Sequence, residues 1–232
     1  MVFVVAEIGV NWDGNFDLAK EMIYKSKSAG CDAVKFQAFE EDLIKNHPDK
    51  MRLIESSISE KNIKIINDLA KSIGIEWFCT PMYPEAVDLL DPYVKKFKMR
   101  VSDGISLLEN KKSEIFERIS KTDKIVFVSS ERSPRSSLYY NNSNIKWLYC
   151  VPKYPCDLSD LNFKNLKDFH GFSNHCPKII APLTAAILGT GIIEVHITSD
   201  KSKNYADNNV SFDYSELNDL VRLIRSSKEI SM

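Results

Sequence analysis

The stretch that decides the fold reads GFSNHC over residues 171–176 and IIEVHIT over residues 192–198, and it ends in a polar loop at Asp207. Between the two apolar runs, apolar residues recur at helical spacing over residues 179–187. The stretch predicts strand, helix, strand, with His175 and His196 at the carboxyl ends of two parallel neighbours. Two such imidazoles can share one metal ion, or local hydrogen bonds can satisfy each; the stretch alone leaves both interpretations open.

The composition fits one domain of the larger kind, since the chain has 232 residues, 44% of them hydrophobic. A net charge of −1, with acids and bases interspersed, argues against nucleic acid or a membrane as partner. Five cysteines without a CxxC pair predict buried thiols in a reducing cytoplasm and no disulfide framework. The apolar start MVFVVAEIGV is too short to span a bilayer and predicts a buried strand, with no export signal.

Eight short apolar runs predict strands at residues 3–8, 33–37, 75–79, 95–99, 125–128, 145–150, 171–173 and 192–197. Between them the sequence predicts helices at residues 16–29, 84–90, 107–119 and 179–187, and a last one at 213–226. It also predicts helical segments that end at residue 73 and a short helix within residues 158–169. The polar residues 129–144 predict one or two helical turns at most. Short apolar runs without strict alternation are typical of strands buried on both faces. The count favours an α/β (β/α)8 TIM barrel, with a shortened crossover after the fifth strand, over a doubly wound sheet.

Chemistry in such a barrel collects where the strands end. The residues there are Glu7, Lys35, Gln37, Thr80, Lys98, Ser102, Asp103, Ser129, Ser130, Lys153, Tyr154, Ser173, His175, Glu194 and His196, with Asp207 in the last loop. Lysines and hydroxyls suit a phosphate, and imidazoles suit a metal ion.

A structural role is an alternative for most of these residues. Lys35 and Lys98 favour function, because a lysine inside an apolar run is costly without a partner. The others can be helix caps at Thr80 and Ser129, partners of the lysines at Glu7 and Glu194, and a solvated loop residue at Asp207.

Two segments, AEIGVNWDG at residues 6–14 and AGCDAVKFQ at residues 29–37, resemble the start of the sialic acid synthase family. That family's pattern is close to AEIGxNHxG and AGADxVKFQ. Further matches follow in order: FCTP at 78–81, FKM at 97–99, VSS at 128–130, YCVPKYP at 149–155, GFSNH at 171–175 and IIEVHIT at 192–198. The resemblance runs from about Phe3 to Ile224.

The resemblance implies a TIM barrel that condenses phosphoenolpyruvate with an N-acetylated amino sugar aldehyde, using Mn2+ or Mg2+. The product would be a nine-carbon acidic sugar of the sialic, legionaminic or pseudaminic acid type, plus phosphate. Carried over residue by residue, the resemblance implies that the metal is bound by His175 and His196. Phosphoenolpyruvate would be held by Lys35, Thr80, Lys98, Ser129 and Ser173, and the sugar would face Gln37, Tyr154 and Asp207. The catalytic residues at the reacting carbons would be Glu7, Asp103 and Glu194.

Most family members carry a further C-terminal antifreeze-like domain. We expect residues 1–232 to form one barrel domain without it. The barrel could then have two kinds of protein partner: a separate antifreeze-like protein, or a second copy of the chain in a homodimer.

Several positions depart from the family pattern. Trp12 replaces a histidine, Asn174 replaces an aspartate, and Pro152 replaces an asparagine that contacts phosphoenolpyruvate. The segment KMRVSDG at residues 98–104 differs from KIxSGE, which makes the register of Ser102 and Asp103 uncertain and Arg100 unusual. Three hypotheses therefore remain: a working synthase, an aldolase with a Schiff base on Lys35 or Lys98, and a non-catalytic barrel that binds a sugar or a protein.

Overall fold

Eight parallel strands close into a barrel in chain order, with β8 hydrogen-bonded to β1, in a computed structural model that describes residues 1–227 and residue 229. The strands are β1 Phe3–Gly9, β2 Ala33–Ala38, β3 Glu76–Pro81, β4 Lys96–Met99, β5 Ile125–Ser130, β6 Ile145–Tyr149, β7 Gly171–Asn174 and β8 Ile192–His196. All eight predicted strands are confirmed, and so is the TIM barrel. The last residues of the predicted 1–232 domain, 228 and 230–232, lie outside the described residues.

The helices lie between the strands on the outside of the barrel. They are α1 Phe16–Ser28, α2 Lys50–Ser56, α3 Ile63–Ile73, α4 Glu85–Leu90, α5 Val101–Leu108, α6 Glu114–Ile119, α7 Ile180–Ile187 and α8 Tyr214–Ser227. Local sequence sets their ends: the Asn15 side chain accepts the first free N–H groups of α1, and Gly74 ends α3 with a φ of 76°. No helix among the described residues has the length and apolar character needed to cross a membrane.

The helix predicted at residues 107–119 is wrong, since these residues do not form one continuous helix. α5 begins earlier, at Val101, and ends at Leu108, and α6 begins only at Glu114. Asn110 has a left-handed φ of 61°, which a helix cannot continue through. The Ser113 side chain then accepts the N–H of Phe116 and starts the second helix.

The crossovers after β5 and β6 contain no α-helix. Between β5 and β6 there is one 3-10 turn, Pro134–Ser136, which confirms the shortened crossover. The helix predicted at residues 158–169 is instead two 3-10 segments, Leu158–Asp160 and Phe163–Asp168. Asn165, in the second segment, leaves helical geometry with a φ of −105°.

The side chains of β5 that point into the barrel change from apolar to polar along the strand. On β5, Ile125 and Phe127 line the opening at the amino ends of the strands, and Ser129 lines the cavity at the carboxyl ends. Phe127 packs edge-on against Phe78 and Phe3, with ring centroids 5.5 and 6.3 Å apart. These rings fill the lower barrel, so that the polar residues above them have an apolar floor.

Candidate active site

A cavity of about 300 Å³ opens at the carboxyl ends of the strands. Its lining residues are Glu7, Lys35, Gln37, Thr80, Met82, Lys98, Arg100, Val101, Ser102, Ser129, Cys150, Pro152, Tyr154, Ser173, His175, Glu194, His196 and Asp207. Every residue to which the family resemblance gave a role is among them except Asp103, whereas the strand-end residues Ser130 and Lys153 are not. The fold therefore brings together residues from every strand except β6, from the segment that follows β6 and from the loop after β8.

Two lysines and two glutamates form a buried network at the base of the cavity. Lys35 Nζ lies 2.9 Å from Glu7 Oε2 and 3.7 Å from Glu194 Oε1. Lys98 Nζ lies 3.2 Å from the same Glu194 oxygen, which also accepts the Ser173 hydroxyl at 2.8 Å. Each charge that burial would penalise therefore has an opposite charge beside it.

This network fixes the charge of its members. Burial acts to raise the pKa of Glu194, but Lys35 and Lys98 outweigh it and lower that pKa to about 2. Burial acts to lower the pKa of Lys35, but Glu194 and Glu7 outweigh it and raise that pKa. Near neutral pH, the Glu194 carboxylate and the Lys35 ammonium are therefore both ionised.

Within the described part of the chain, several buried polar atoms at the base of the cavity have no hydrogen-bond partner. They include Ser129 Oγ and the second carboxylate oxygen of Glu194. Because a buried polar atom is costly when unpaired, such atoms in a cavity are available to a ligand.

The two histidines lie side by side, with ring centroids 5.5 Å apart. His175 Nδ1 is 2.8 Å from the Val151 carbonyl, which can accept its proton and leave Nε2 free. His196 Nδ1 lies 3.3 Å from Asp207 Oδ2. Tyr154 covers the pair: its ring is 3.9 Å from the His175 ring, and its hydroxyl is 3.4 Å from His196 Nε2.

The surroundings of the histidines favour a neutral ring at His175. Burial, and then the neighbouring His196, lower the pKa of His175 to about 3. Cys150 lies beside this ring, with its sulfur 3.8 and 3.9 Å from the two ring nitrogens. Burial raises the pKa of the Cys150 thiol to about 11, so it remains protonated.

A fully buried asparagine holds the loop of Asp207 over the cavity. Asn11 Nδ2 donates to the Ile197 carbonyl at 2.8 Å and to the Ser211 hydroxyl at 3.0 Å. Its Oδ1 accepts the backbone N–H of Asp207 at 3.0 Å. The position of Asp207 in the site is therefore fixed by Asn11, although the sequence alone also allows a solvated loop residue there.

The structure does not bring Asp103 into the cavity. Its carboxylate accepts two hydrogen bonds from Arg100, at 2.7 and 2.9 Å, and also faces the N–H that begins α5. Ser102 and Arg100 line the cavity in its place. In this geometry the Asp103 carboxylate is engaged by Arg100, and the catalytic role of Asp103 stays a prediction.

Sequence reasoning assigned no role to Arg100, Met82 or Cys150, which also line the cavity. Strand alternation could have identified Arg100, because it lies two residues beyond Lys98 and so on the same side of the strand. Trp12, by contrast, is a structural departure from the family pattern. It is buried, and its ring N–H donates to the Ser56 carbonyl at 2.9 Å.

The cavity contains side chains of the types that bind metal ions, but in the described chain they do not form one large group. Among the residues that the structure describes, no three or more histidine, cysteine, aspartate or glutamate side chains are grouped so as to hold a metal ion. The two residues that the resemblance implies as metal ligands, His175 and His196, are neighbours in the cavity.

Comparison with known proteins identifies the family of this chain. The model of the NeuB family matches residues 22–231. The chain belongs to the NeuB family. An uncharacterised protein of Methanocaldococcus jannaschii is 31% identical to it, over 96% of this chain and 70% of that protein.

Named relatives in the NeuB family are acid-sugar synthases. The N,N'-diacetyllegionaminic acid synthase of Legionella pneumophila is 31% identical, over 98% of this chain and 72% of its own length. The pseudaminic acid synthase of Campylobacter jejuni is 27% identical, over 98% of this chain and 74% of its own length.

A solved NeuB-type structure agrees with the fold. The sialic acid synthetase of Leptospira borgpetersenii superimposes with a TM-score of 0.83 and 25% identity, over 98% of this chain and 84% of that one. This NeuB family chain is thus an enzyme of the sialic acid synthase type, a transferase that forms a carbon–carbon bond.

Proposed function

We propose that this chain condenses phosphoenolpyruvate with an N-acetylated hexosamine in its open-chain aldehyde form. The products are a nine-carbon acidic sugar and phosphate. One observation carries the proposal: a single cavity gathers two buried lysines, several hydroxyls and two imidazoles. The names of the related synthases support the reaction class.

The base of the cavity suits the phosphate and carboxylate of phosphoenolpyruvate. Lys35 and Lys98 offset its negative charge, and the hydroxyls of Thr80 and Ser129 donate to its oxygens. The Ser173 hydroxyl, which donates to Glu194 in this structure, would turn from that carboxylate to do the same. The unpaired Ser129 hydroxyl supports this role, because a phosphate oxygen would give it a partner. Pro152 offers no side-chain donor there, so this chain relies more on the lysines.

His175 and His196 would hold a divalent ion, Mn2+ or Mg2+. The Val151 carbonyl orients the His175 ring in the way that outer partners orient metal-binding imidazoles, and a neutral ring is the form that binds metals. With two protein ligands, the remaining positions would go to water and substrate. Such an ion polarises an aldehyde carbonyl as a Lewis acid.

The remaining residues position the reactants and move a proton. C3 of phosphoenolpyruvate bonds to the aldehyde carbon, and the aldehyde oxygen takes up a proton and becomes a hydroxyl. C2 takes the oxygen of a water molecule, the bond from C2 to the phosphate oxygen breaks, and phosphate leaves. Glu7 accepts the proton of that water. Lys35 and Gln37 each fix one of its oxygens, both at 2.9 Å, so the carboxylate is already oriented. Gln37, Tyr154 and Asp207 hold the sugar, which lowers the entropic barrier.

The same contacts disfavour an aldolase with a Schiff base on Lys35. A lysine nucleophile must lose its proton. Although burial acts against it, Glu194 and Glu7 raise the pKa of this lysine. Reduction with borohydride in the presence of a carbonyl substrate is therefore expected to leave no covalent adduct.

Phosphate release from phosphoenolpyruvate tests the proposal. The assay contains Mn2+ and either N-acetylmannosamine or its 6-deoxy diacetamido relatives, and release is expected to need both the metal and one acceptor. The variants His175→Ala and His196→Ala should lose release and should bind Mn2+ more weakly by calorimetry. His47→Ala, in an exposed loop, is the matched control and should change neither.

The outcomes separate the hypotheses. Near-normal release by either histidine variant refutes the metal assignment. Saturable binding of phosphoenolpyruvate and Mn2+ without release indicates a missing acceptor or partner domain. No binding and no release indicate a non-catalytic barrel.

A further inference from the structure

Arg100 extends the row of inward-facing side chains on β4. Lys98 and Arg100 both line the cavity, whereas Met99 between them is buried in the core. The backbone at Arg100 is still extended, with φ −69° and ψ 170°, so the alternation of the strand continues through it. Two residues along a strand are about 7 Å, which places Arg100 nearer the mouth than Lys98.

The same two-residue step occurs on the strands opposite. Glu194 on β8 and Ser173 on β7 contact each other and, through Glu194, Lys98 at the base of the cavity. Two residues beyond Glu194, β8 ends at His196, and two residues beyond Ser173, His175 directly follows β7. Arg100 therefore lies nearer the mouth of the cavity, at the level of the two imidazoles, and not at the level of Lys98, which is proposed to bind phosphoenolpyruvate.

Ring order places Arg100 across the mouth from the histidines. The strands follow one another around the barrel in chain order, so β4 lies four positions from β8. An acceptor whose aldehyde lies at His175 and His196 extends across the mouth, and its far end approaches Arg100.

The guanidinium group of Arg100 is fixed and has a free edge. Nε and Nη2 donate to the two oxygens of Asp103, whereas Nη1 has no hydrogen bond or ion pair with any described residue. The side chain is 37% exposed, so it is held but not enclosed. A guanidinium held in this way is pre-organised for a phosphate, whose oxygens accept paired N–H donors.

We propose that Arg100 binds a phosphate ester at the far end of the acceptor, so that this chain uses a phosphorylated N-acetylhexosamine. The inference rests on the proposed function. Lys35 and Lys98 serve the phosphate of phosphoenolpyruvate, and Arg100 serves that of the sugar.

Matched acceptors test the assignment in the full chain. Rates with phosphoenolpyruvate and Mn2+ are measured with N-acetylmannosamine and with its 6-phosphate. We expect kcat/KM to be at least about tenfold higher for the 6-phosphate, since a hydrogen bond to a charged group contributes that much or more. Arg100→Gln should remove about 10- to 100-fold of kcat/KM for this acceptor, mainly through its KM. The kcat/KM for the neutral acceptor and the KM of phosphoenolpyruvate should stay as in wild type.

Two further variants exclude a general loss of structure. Arg100→Lys keeps the charge and should recover part of the preference. Arg222→Gln removes an exposed arginine that pairs with Asp219 three residues away on α8, and it should behave as wild type. Thermal unfolding of each variant shows whether it is folded.

The opposite results overturn the assignment. They are a wild-type preference for the neutral sugar, an equal loss with both acceptors, or a raised KM for phosphoenolpyruvate in Arg100→Gln. If wild type turns over neither acceptor, the proposed condensation fails, and calorimetry with N-acetylmannosamine 6-phosphate decides the role of Arg100. Binding that Arg100→Gln abolishes then supports the phosphate site, and absent or unchanged binding refutes it.

Discussion

The ammonium group of Lys35 lies 2.9 Å from a carboxylate oxygen of Glu7, and the two residues are direct neighbours across β1 and β2. Both side chains are almost fully buried. Glu194, from β8 on the other side of β1, approaches the same ammonium. Lys35 is therefore the counter-charge of two glutamates as well as a proposed ligand of phosphoenolpyruvate.

Replacing this lysine should cost stability as well as activity. Lys35→Met leaves buried carboxylates short of a positive charge, and breaking a buried pair costs about 3–5 kcal/mol. Urea unfolding measures the loss. Removing the Glu7 charge as well, in Lys35→Met/Glu7→Gln, should restore part of it. Equal unfolding midpoints for wild type and Lys35→Met would show that the pair does not hold the barrel together.

Acid should weaken the crossover after β5. The Ser133 hydroxyl bonds Asp168 at 2.6 Å and, with Arg135 and against the opposing effect of burial, lowers its pKa. The pKa of Asp168 is lower in the folded state than in the unfolded state, where it is about 4. Ionised Asp168 therefore stabilises the fold above about pH 4, and this stabilisation is lost as the pH falls through the folded-state pKa.

The test is the pH dependence of urea unfolding. Between about pH 5 and pH 2, wild type should lose more stability than Asp168→Asn. Ser133→Ala should fall between the two, because it removes the largest cause of the shift. Parallel curves for all three proteins would contradict the prediction.

Gly9 should be needed for the site more than for the fold. It has a φ of +54°, and a Cβ there would lie 3.2 Å from side-chain atoms of Asp207, Gln37 and Glu7. Gly74 has a comparable φ of +76° with nothing within 4 Å. Alanine at either position should cost about 1–2 kcal/mol of backbone strain. Only Gly9→Ala should also lower kcat/KM, by about tenfold or more; similar kinetics for both variants would refute this.

Gly171 allows β7 to approach its neighbours. A Cβ on it would lie 2.5 Å from the Ile192 carbonyl oxygen and 2.7 Å from a methyl group of Leu148. Gly171→Ala should therefore destabilise by about 1–3 kcal/mol through overpacking, measured as a lower Tm. Gly191→Ala, whose Cβ would meet only the His170 carbonyl at 3.5 Å, is the control and should change the Tm less.

The strands could be predicted because each is a short apolar run, and their ends then gave most of the cavity. Lys35 and Lys98 stood out because a lysine in an apolar run needs a partner, and both have one. The helix break near Asn110 was missed because a left-handed residue between polar neighbours leaves no change in apolar spacing.

The fourth crossover shows where sequence reasoning reaches its limit. Arg100 and Asp103 differ from the family pattern, and their pairing depends on where β4 ends and α5 begins. The sequence offers two registers for this junction, and only side-chain geometry distinguishes them. The carboxylate that seemed catalytic binds the arginine, and the arginine faces the cavity.

Asn11 has a consequence for how the protein is made. Its carboxamide joins the turn after the first strand to Asp207, which lies 196 residues later in the chain. While the ribosome is still synthesising the last quarter of the chain, β1 has no β8 to pair with and exposes one edge. The acceptor side of the site is therefore assembled last, and a nascent chain that stalls before residue 207 contains both lysines of the network and cannot complete the site.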